Sequence, residues 1–194
     1  MPELSRIAYL GAALLTLNSA ATAQALQIEG VQFSDRVTIE EQDVSLKGAG
    51  LLRYRVFFRG YVAAYYEGDA VEEAQPRRIE IEYFWGIPAD EFRKATVEGI
   101  AKNHPGRETA DFARSIDALN ALYRDVEAGD RYALTWVPGE GTRLDHNGRT
   151  LGSVPGYEFG AAVFDIWLGE DPFDEGLKRD LLGSGSATEG ARDG

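Results

Sequence analysis

The 194-residue sequence has no cysteine, two histidines and a single methionine. Without cysteine there is no disulfide framework, no thiolate nucleophile and no zinc site built on sulfur, so stability has to come from a packed core. Two histidines leave little metal chemistry beyond carboxylates around a hard cation. The acidic groups Glu40-Glu41, Glu72-Glu73 and Asp171 to Glu175 lack the alternating D-x-D-x-D-G spacing that aims several oxygens at one ion, and read as solvated surface. No metal or cofactor is implied. Basic charge is also scarce, with 20 Lys and Arg against 32 Asp and Glu and a net charge of −12. Such a surface repels phosphate backbones, and no local basic patch offsets it, so a nucleic-acid partner is excluded. There is no G-x-S-x-G elbow for a serine hydrolase. No apolar run reaches the roughly twenty residues that cross a bilayer as a helix.

What is present is a globular composition, 44% hydrophobic and 27% charged, at a length typical of one domain. Met1 to Ala25 stands apart. Arg6 precedes an apolar run from Ile7 to Leu17, and a small-residue tail containing Ala21-Thr22-Ala23 follows. That is the layout of a cleavable secretory signal peptide, which predicts a periplasmic protein. The mature domain is then expected over residues 26–183, and the Gly/Ser/Ala-rich residues 184–194 are expected to form a disordered tail.

Strand formers dominate Leu26 to Glu67. Val37 to Ile39 reads as a strand, Gly48-Ala49-Gly50 as a break, and Leu51 to Tyr66 as two strands with a bend or bulge at Arg59-Gly60. In Arg77 to Trp85, Ile79, Ile81 and Tyr83 alternate with Glu80, Glu82 and Phe84, as in a strand with one buried face. A helix is predicted over Ala89 to Lys102, and a second one capped by Thr109 with Phe112, Ile116, Leu119, Tyr123 and Val126 as its stripe. A three-stranded meander follows, with its second turn at Asp145-His146-Asn147-Gly148. Two last helices are predicted, Ala161 to Leu168 and Pro172 to Leu182, with Asp171 as the cap of the second. Strands, helices, a meander and helices in that order make an α+β fold.

Few residues invite chemistry. His146 sits in a hairpin turn and His104 at a helix stop, and both read as structural. Gly48-x-Gly50 is half a phosphate loop, but a strand follows it where a phosphate site needs a helix. There remain Arg53, Arg55 and Arg59 among aromatic strand residues. Period two puts Arg53 and Arg55 on one face, and carried on it adds Phe57, Arg59 and Tyr61. A buried arginine there needs an anion: an internal carboxylate such as Glu80 or Glu82, or the carboxylate or phosphate of a ligand.

Two stretches carry a family resemblance. The first is Gly48-Ala49-Gly50-Leu51-Leu52-Arg53 with Phe57 to Tyr66, and the second is Ala162 to Pro172 with Leu177-Lys178 and Leu181-Leu182-Gly183. Together they resemble the exported bacterial branch of the chalcone isomerase-like proteins. The resemblance implies an open-faced β-sandwich, a long curved antiparallel sheet with helices packed on one face and a ligand cleft between them. Family members include ring-closing isomerases of plants and fatty-acid binders of plastids. The family's anion-holding arginine falls on Arg53 and the fatty-acid binders' tyrosine on Tyr66, while the isomerases' first-strand threonine falls near Tyr61. Three further polar positions of the isomerases fall on Phe92, Gly99 and near Gly160, where no hydroxyl or amide remains.

Ring closure requires a two-ring substrate held in attack geometry with charge stabilised at its ketone, which a lone arginine does not supply. The resemblance therefore implies a non-catalytic binder of a small amphiphilic anion, above all a fatty acid, with Arg53, Tyr66 and Tyr61 at the site. An isomerase or lyase of a phenolic or enone substrate is the alternative. A third reading is an interaction protein whose cleft is filled by Trp85, Trp136 and Trp167.

Overall fold

The computed structural model describes residues 25–54, 58–68, 75–106 and 112–184. The segment read as an export signal, the tail beyond Ser184, the helix cap Thr109, and Arg55 and Phe57 lie outside the described residues.

A two-residue turn, Glu29-Gly30, with both residues in the left-handed region, folds β1 (Leu26–Ile28) onto β2 (Val31–Phe33). The other strands form one seven-stranded antiparallel meander: β3 (Arg36–Ile39), β4 (Gln42–Tyr54), β5 (Phe58–Glu67), β6 (Arg77–Tyr83), β7 (Arg131–Val137), β8 (Gly141–His146) and β9 (Arg149–Val154). Strand order in space equals chain order, so every connection is local except the helical excursion between β6 and β7. That excursion holds α1 (Ala89–Asn103) and α2 (Ala113–Leu122), and after β9 come α3 (Tyr157–Leu168) and α4 (Glu175–Leu181). The sheet is curled into a half-barrel, the α+β arrangement anticipated for an open-faced sandwich.

The alternation of side chains decides which face does what. Ala63, Ile79, Ile81, Tyr83, Tyr132, Leu134 and Leu144 face the helices and meet Ile100, Ile116, Leu119, Val163 and Ile166 in the larger core. The opposite face buries Val44, Val62, Ala64 and Tyr66 beneath Val31 and Phe33 of the small hairpin. Full burial of such side chains contributes about 1.5–3 kcal/mol each. Beyond the hairpin this face is a charge lattice. Arg131 reaches Glu80 at 2.7 Å and Glu82 at 2.6 Å, and Arg78 lies 3.3 Å from Asp145. The alternating Glu80 and Glu82 thus belong to the open face and have their own arginine.

Two expectations are corrected and one is narrowed. Gly48-Ala49-Gly50 is not a break but the middle of β4, where the backbone of α4 crosses the strand. A Cβ on Gly48 would stand 2.0 Å from the Asp180 carbonyl oxygen, and one on Gly50 2.6 Å from Asp180 Cβ. The bend or bulge expected at Arg59-Gly60 is a bulge within β5, with Gly60 as the extra residue where the β4–β5 register shifts. The last helix begins three residues later than expected. Asp174, not Asp171, caps it by accepting a 2.7 Å hydrogen bond from the Leu177 N–H, an interaction worth about 1 kcal/mol. The connection from Gly169 to Asp174 is therefore free to lay Phe173 against α1.

Candidate functional site

The sheet diverges from α1 near the β4–β5 end, and a cleft of about 510 Å³ opens between them. Its floor is Ile81 and Tyr83 of β6, with Tyr61 of β5 and Leu52 of β4 beside them. Phe92 and Ala95 of α1 form one wall, and Trp167 at the end of α3 with Phe173 forms the other. A chamber of about 40 Å³ shares Ile81, Tyr83, Phe92 and Trp167 with the cleft and adds Thr96, Tyr123 and Tyr132 to its lining. Aromatic rings line most of this space. Tyr83 stands edge-on to Tyr61, Phe92 and Tyr132, with centroids 5.8, 5.4 and 6.0 Å away, and Phe92 stacks on Tyr123 at 5.5 Å.

The polar groups of this interior are few. Trp167 donates its indole N–H to the Tyr61 hydroxyl at 2.9 Å. Thr96 donates to the Phe92 carbonyl, so the Tyr123 hydroxyl, 2.8 Å away, donates to Thr96. The Tyr132 hydroxyl donates to the Arg124 carbonyl and accepts from the Arg124 N–H, both at 2.7 Å. Burial raises the Tyr61 phenol well above its ordinary range, the Trp167 hydrogen bond opposing and the Asp174 charge adding to that shift. Burial pushes Tyr123 up to about 12, against the lowering effect of its bond with Thr96.

Charge is confined to the rim. Arg53, Glu91 and Asp174 stand there. Glu91 pairs with Lys94 at 2.7 Å and Asp174 caps α4, so both carboxylates are engaged. Arg53 is more than half exposed, and its Nη2 lies 3.7 Å from Glu29 on the β1–β2 turn. Its acid is thus neither Glu80 nor Glu82.

Of the residues singled out in the sequence, Arg53 and Tyr61 come together at the cleft and Tyr66 does not. The pairing register shifts between Leu52 and Arg53: Leu52 faces Tyr61 and Arg53 faces Arg59, with Gly60 as the extra residue. This bulge puts Tyr61 beside Leu52 on the helix face, and period two carried through from Arg53 fails there. Tyr66 is five residues beyond Tyr61 in an unbroken strand, so it points to the opposite face. It is 1% exposed there, packed with Val62, Ala64 and Phe33. Glu80 adds to the burial that raises its phenol, while Arg78 and Arg131 oppose it.

Sequence reading missed Tyr83 and Phe173, and it took Trp167 as filling for the cleft. The Ile79-Ile81-Tyr83 alternation already put Tyr83 on a buried face, but nothing in it distinguished a cavity wall from a packed core. Phe173 was assigned to a helix. Trp167 lines the cleft and does not fill it, and Trp136 is buried in the main core.

The positions aligned with isomerase polar groups are apolar in space as well. Phe92 presents a ring, Gly99 lies against Ile166 and Phe173, and Gly160 lies against the Trp136 ring. His104 is the C-terminal cap of α1, and its Nε2 lies 2.7 Å from Asp165 Oδ2, tying α1 to α3. It borders a polar groove of about 440 Å³ with Asn103 and Lys178. Asn103 there spans Asp171 through both its amide groups, and Lys178 donates to the Gly169 carbonyl. Among the described residues no three histidine, aspartate or glutamate side chains converge as metal ligands would.

The family model described as chalcone isomerase-like matches residues 25–183. The chain belongs to the chalcone isomerase-like family. A fatty-acid binding protein of Arabidopsis thaliana has a similar structure, with a TM-score of 0.66 at 15% identity over 84% of this chain and 97% of that one. At that identity the likeness concerns the fold. No curated protein matches the sequence. The half-barrel, the helices on one face and the cleft between them are thus the chalcone isomerase-like architecture, and the cleft is where this family member has room for a ligand.

Proposed function

We propose that the protein binds a small amphiphilic anion, above all a fatty acid, in the cleft between sheet and helices. The observation that carries this reading is the cleft itself. Its volume of about 510 Å³ and its aliphatic and aromatic walls suit an alkyl chain, and the one cation among the described residues that line it, Arg53, stands at the rim. Pockets for small ligands commonly have about 300–1,000 Å³ and a few polar groups that set orientation. In this reading Arg53 holds the head group by charge-assisted hydrogen bonds, the chain runs inward along Ile81 and Phe92, and Tyr61 forms part of the wall. The fatty-acid binding relative from Arabidopsis supports the ligand class. Tyr66 has no part in the site. The apolar N-terminal segment read as an export signal makes the periplasm the compartment in which we propose that this binding occurs.

The isomerase reading needs a second polar group opposite Arg53. Phe92 and Gly99 provide none on α1, so binding is the function that this geometry supports best.

The test is native mass spectrometry of the protein from its own host, followed by calorimetric titration with dodecanoate. A retained acyl anion, and saturable dodecanoate binding weakened about tenfold or more in Arg53→Ala, are the expected results. Arg53 is exposed, so that variant should keep the melting temperature of the parent, within about 0.5 kcal/mol of stability. An empty protein that takes up no dodecanoate would overturn the reading.

A further inference from the structure

In the walls of the cleft and its inner chamber, each buried polar side chain except one has a hydrogen-bond partner. Tyr61 has Trp167, Tyr123 has Thr96, and Tyr132 has the Arg124 backbone. The exception is Tyr83. Its side chain lines both the cleft and the chamber, the residue is 4% exposed, and its hydroxyl has no hydrogen-bond partner among the described residues. Burial, and after it the neighbouring phenols of Tyr61, Tyr123 and Tyr132, hold that hydroxyl well above its ordinary pKa. It is a neutral O–H donor at any physiological pH.

A hydroxyl without a protein partner on so deeply buried a side chain is uncommon in a native protein, and one that stays unpaired is served by solvent in the space that it lines. Here the donor stands where the apolar part of an amphiphile would lie, inward of the charged rim. We propose that the Tyr83 hydroxyl recognises an acceptor oxygen on the body of the ligand, which makes the preferred ligand a hydroxy- or oxo-substituted acyl anion. This rests on the binding function proposed above. The physical basis is an exchange. Solvent entering the open cleft can serve the hydroxyl, and a plain alkyl chain expels that solvent and leaves the donor bare. A chain with an oxygen at the right carbon restores the bond. Sites built to hydrogen-bond a ligand group discriminate strongly against the analogue that lacks it. A neutral hydrogen bond recovered in this way corresponds to about a tenfold preference.

The experiment titrates the parent and Tyr83→Phe with dodecanoate and with acids of the same length bearing one hydroxyl or oxo group at successive carbons. One position in the series should bind the parent about tenfold tighter than dodecanoate. In Tyr83→Phe that preference should vanish while dodecanoate binds at least as tightly as before. Without ligand, Tyr83→Phe should melt no lower than the parent, since it removes a donor that no protein group satisfies. Tyr123→Phe, which removes the hydrogen bond that Thr96 accepts, should melt lower by about 2–4 °C. A flat series with dodecanoate still bound overturns this inference and leaves the binding function standing. A preference that survives in Tyr83→Phe overturns the role of Tyr83. A lowered melting temperature in ligand-free Tyr83→Phe shows a structural partner and overturns it too. If no acid binds, the binding function falls and this inference falls with it.

Discussion

Arg53 lines the cleft, and Tyr66 from the same sequence motif lies on the opposite face of the sheet. Strand parity separates Tyr61 from Tyr66, because residues five positions apart in a continuous strand lie on opposite faces. Tyr66→Phe is therefore expected to leave dodecanoate affinity within about twofold of the parent, a change at the scale of a distant, uncoupled site. Calorimetric titration checks it, and a tenfold loss would return Tyr66 to the site. Arg53 is at the cleft but shared with Glu29, at a separation of 3.7 Å and with both groups open to solvent. Exposed pairs of this kind contribute about 0.2–1 kcal/mol. Glu29→Gln should accordingly release the guanidinium toward a ligand and tighten dodecanoate binding by about threefold. Weaker binding in that variant would mean that Glu29 orients Arg53 and does not compete for it.

At the scale of elements, the cleft depends on how closely α4 and the α3–α4 connection approach the sheet and α1. Gly48 and Gly50 permit the α4 contact, and the Leu177 and Leu181 side chains are buried beneath it. Gly48→Ala places a methyl group against the main chain of α4, which has no side chain to move aside. Overpacking of this sort destabilises by about 1–3 kcal/mol, and thermal melting should show it as a lower transition of the ligand-free protein. An unchanged melting temperature would show that α4 can lift from β4. In the sequence this pair of glycines had suggested a break and half of a phosphate loop, because glycine reads as punctuation when its neighbour in space is unknown.

At the scale of the whole molecule, six tyrosine phenols (Tyr61, Tyr65, Tyr66, Tyr83, Tyr123 and Tyr132) are raised above the ordinary value of 10.0, burial being the first cause for each. A phenol whose pKa is higher in the folded state contributes stability that is complete below pH 10 and is lost as the pH climbs toward the folded value, since the unfolded chain gives up its protons first. For Tyr123 that window runs from 10.0 to about 12. Because five of the six are spread over both faces of one sheet and Tyr123 ends α2 against it, alkaline titration should end in a cooperative collapse. Tyrosinate absorbance and far-ultraviolet circular dichroism should change together above pH 10. Phenols that ionise one by one with the dichroism unchanged would contradict this picture. The charge lattice of the open face has its counterpart in the sequence as Glu80 and Glu82 alternating with Ile79 and Ile81, yet its arginines come from β6, β7 and β8.

The sequence by itself determined what depends on local periodicity and on turn chemistry. The β6 alternation, the span of α1, the meander from β7 to β9 and the Asn147-Gly148 turn all follow from neighbours in the chain. It also placed Arg53 and Tyr61 at the candidate site, through motifs shared with the chalcone isomerase-like family. Only the tertiary structure decided which groups meet. A one-residue bulge at Gly60 reset the facing of Tyr61, Glu29 from a separate hairpin took the guanidinium of Arg53, and the late start of α4 laid Phe173 over the cleft. Tyr83 lacks a partner among the described residues for the same reason. Whether a buried hydroxyl is satisfied depends on atoms brought to it from other elements, and no pattern along the strand encodes their absence.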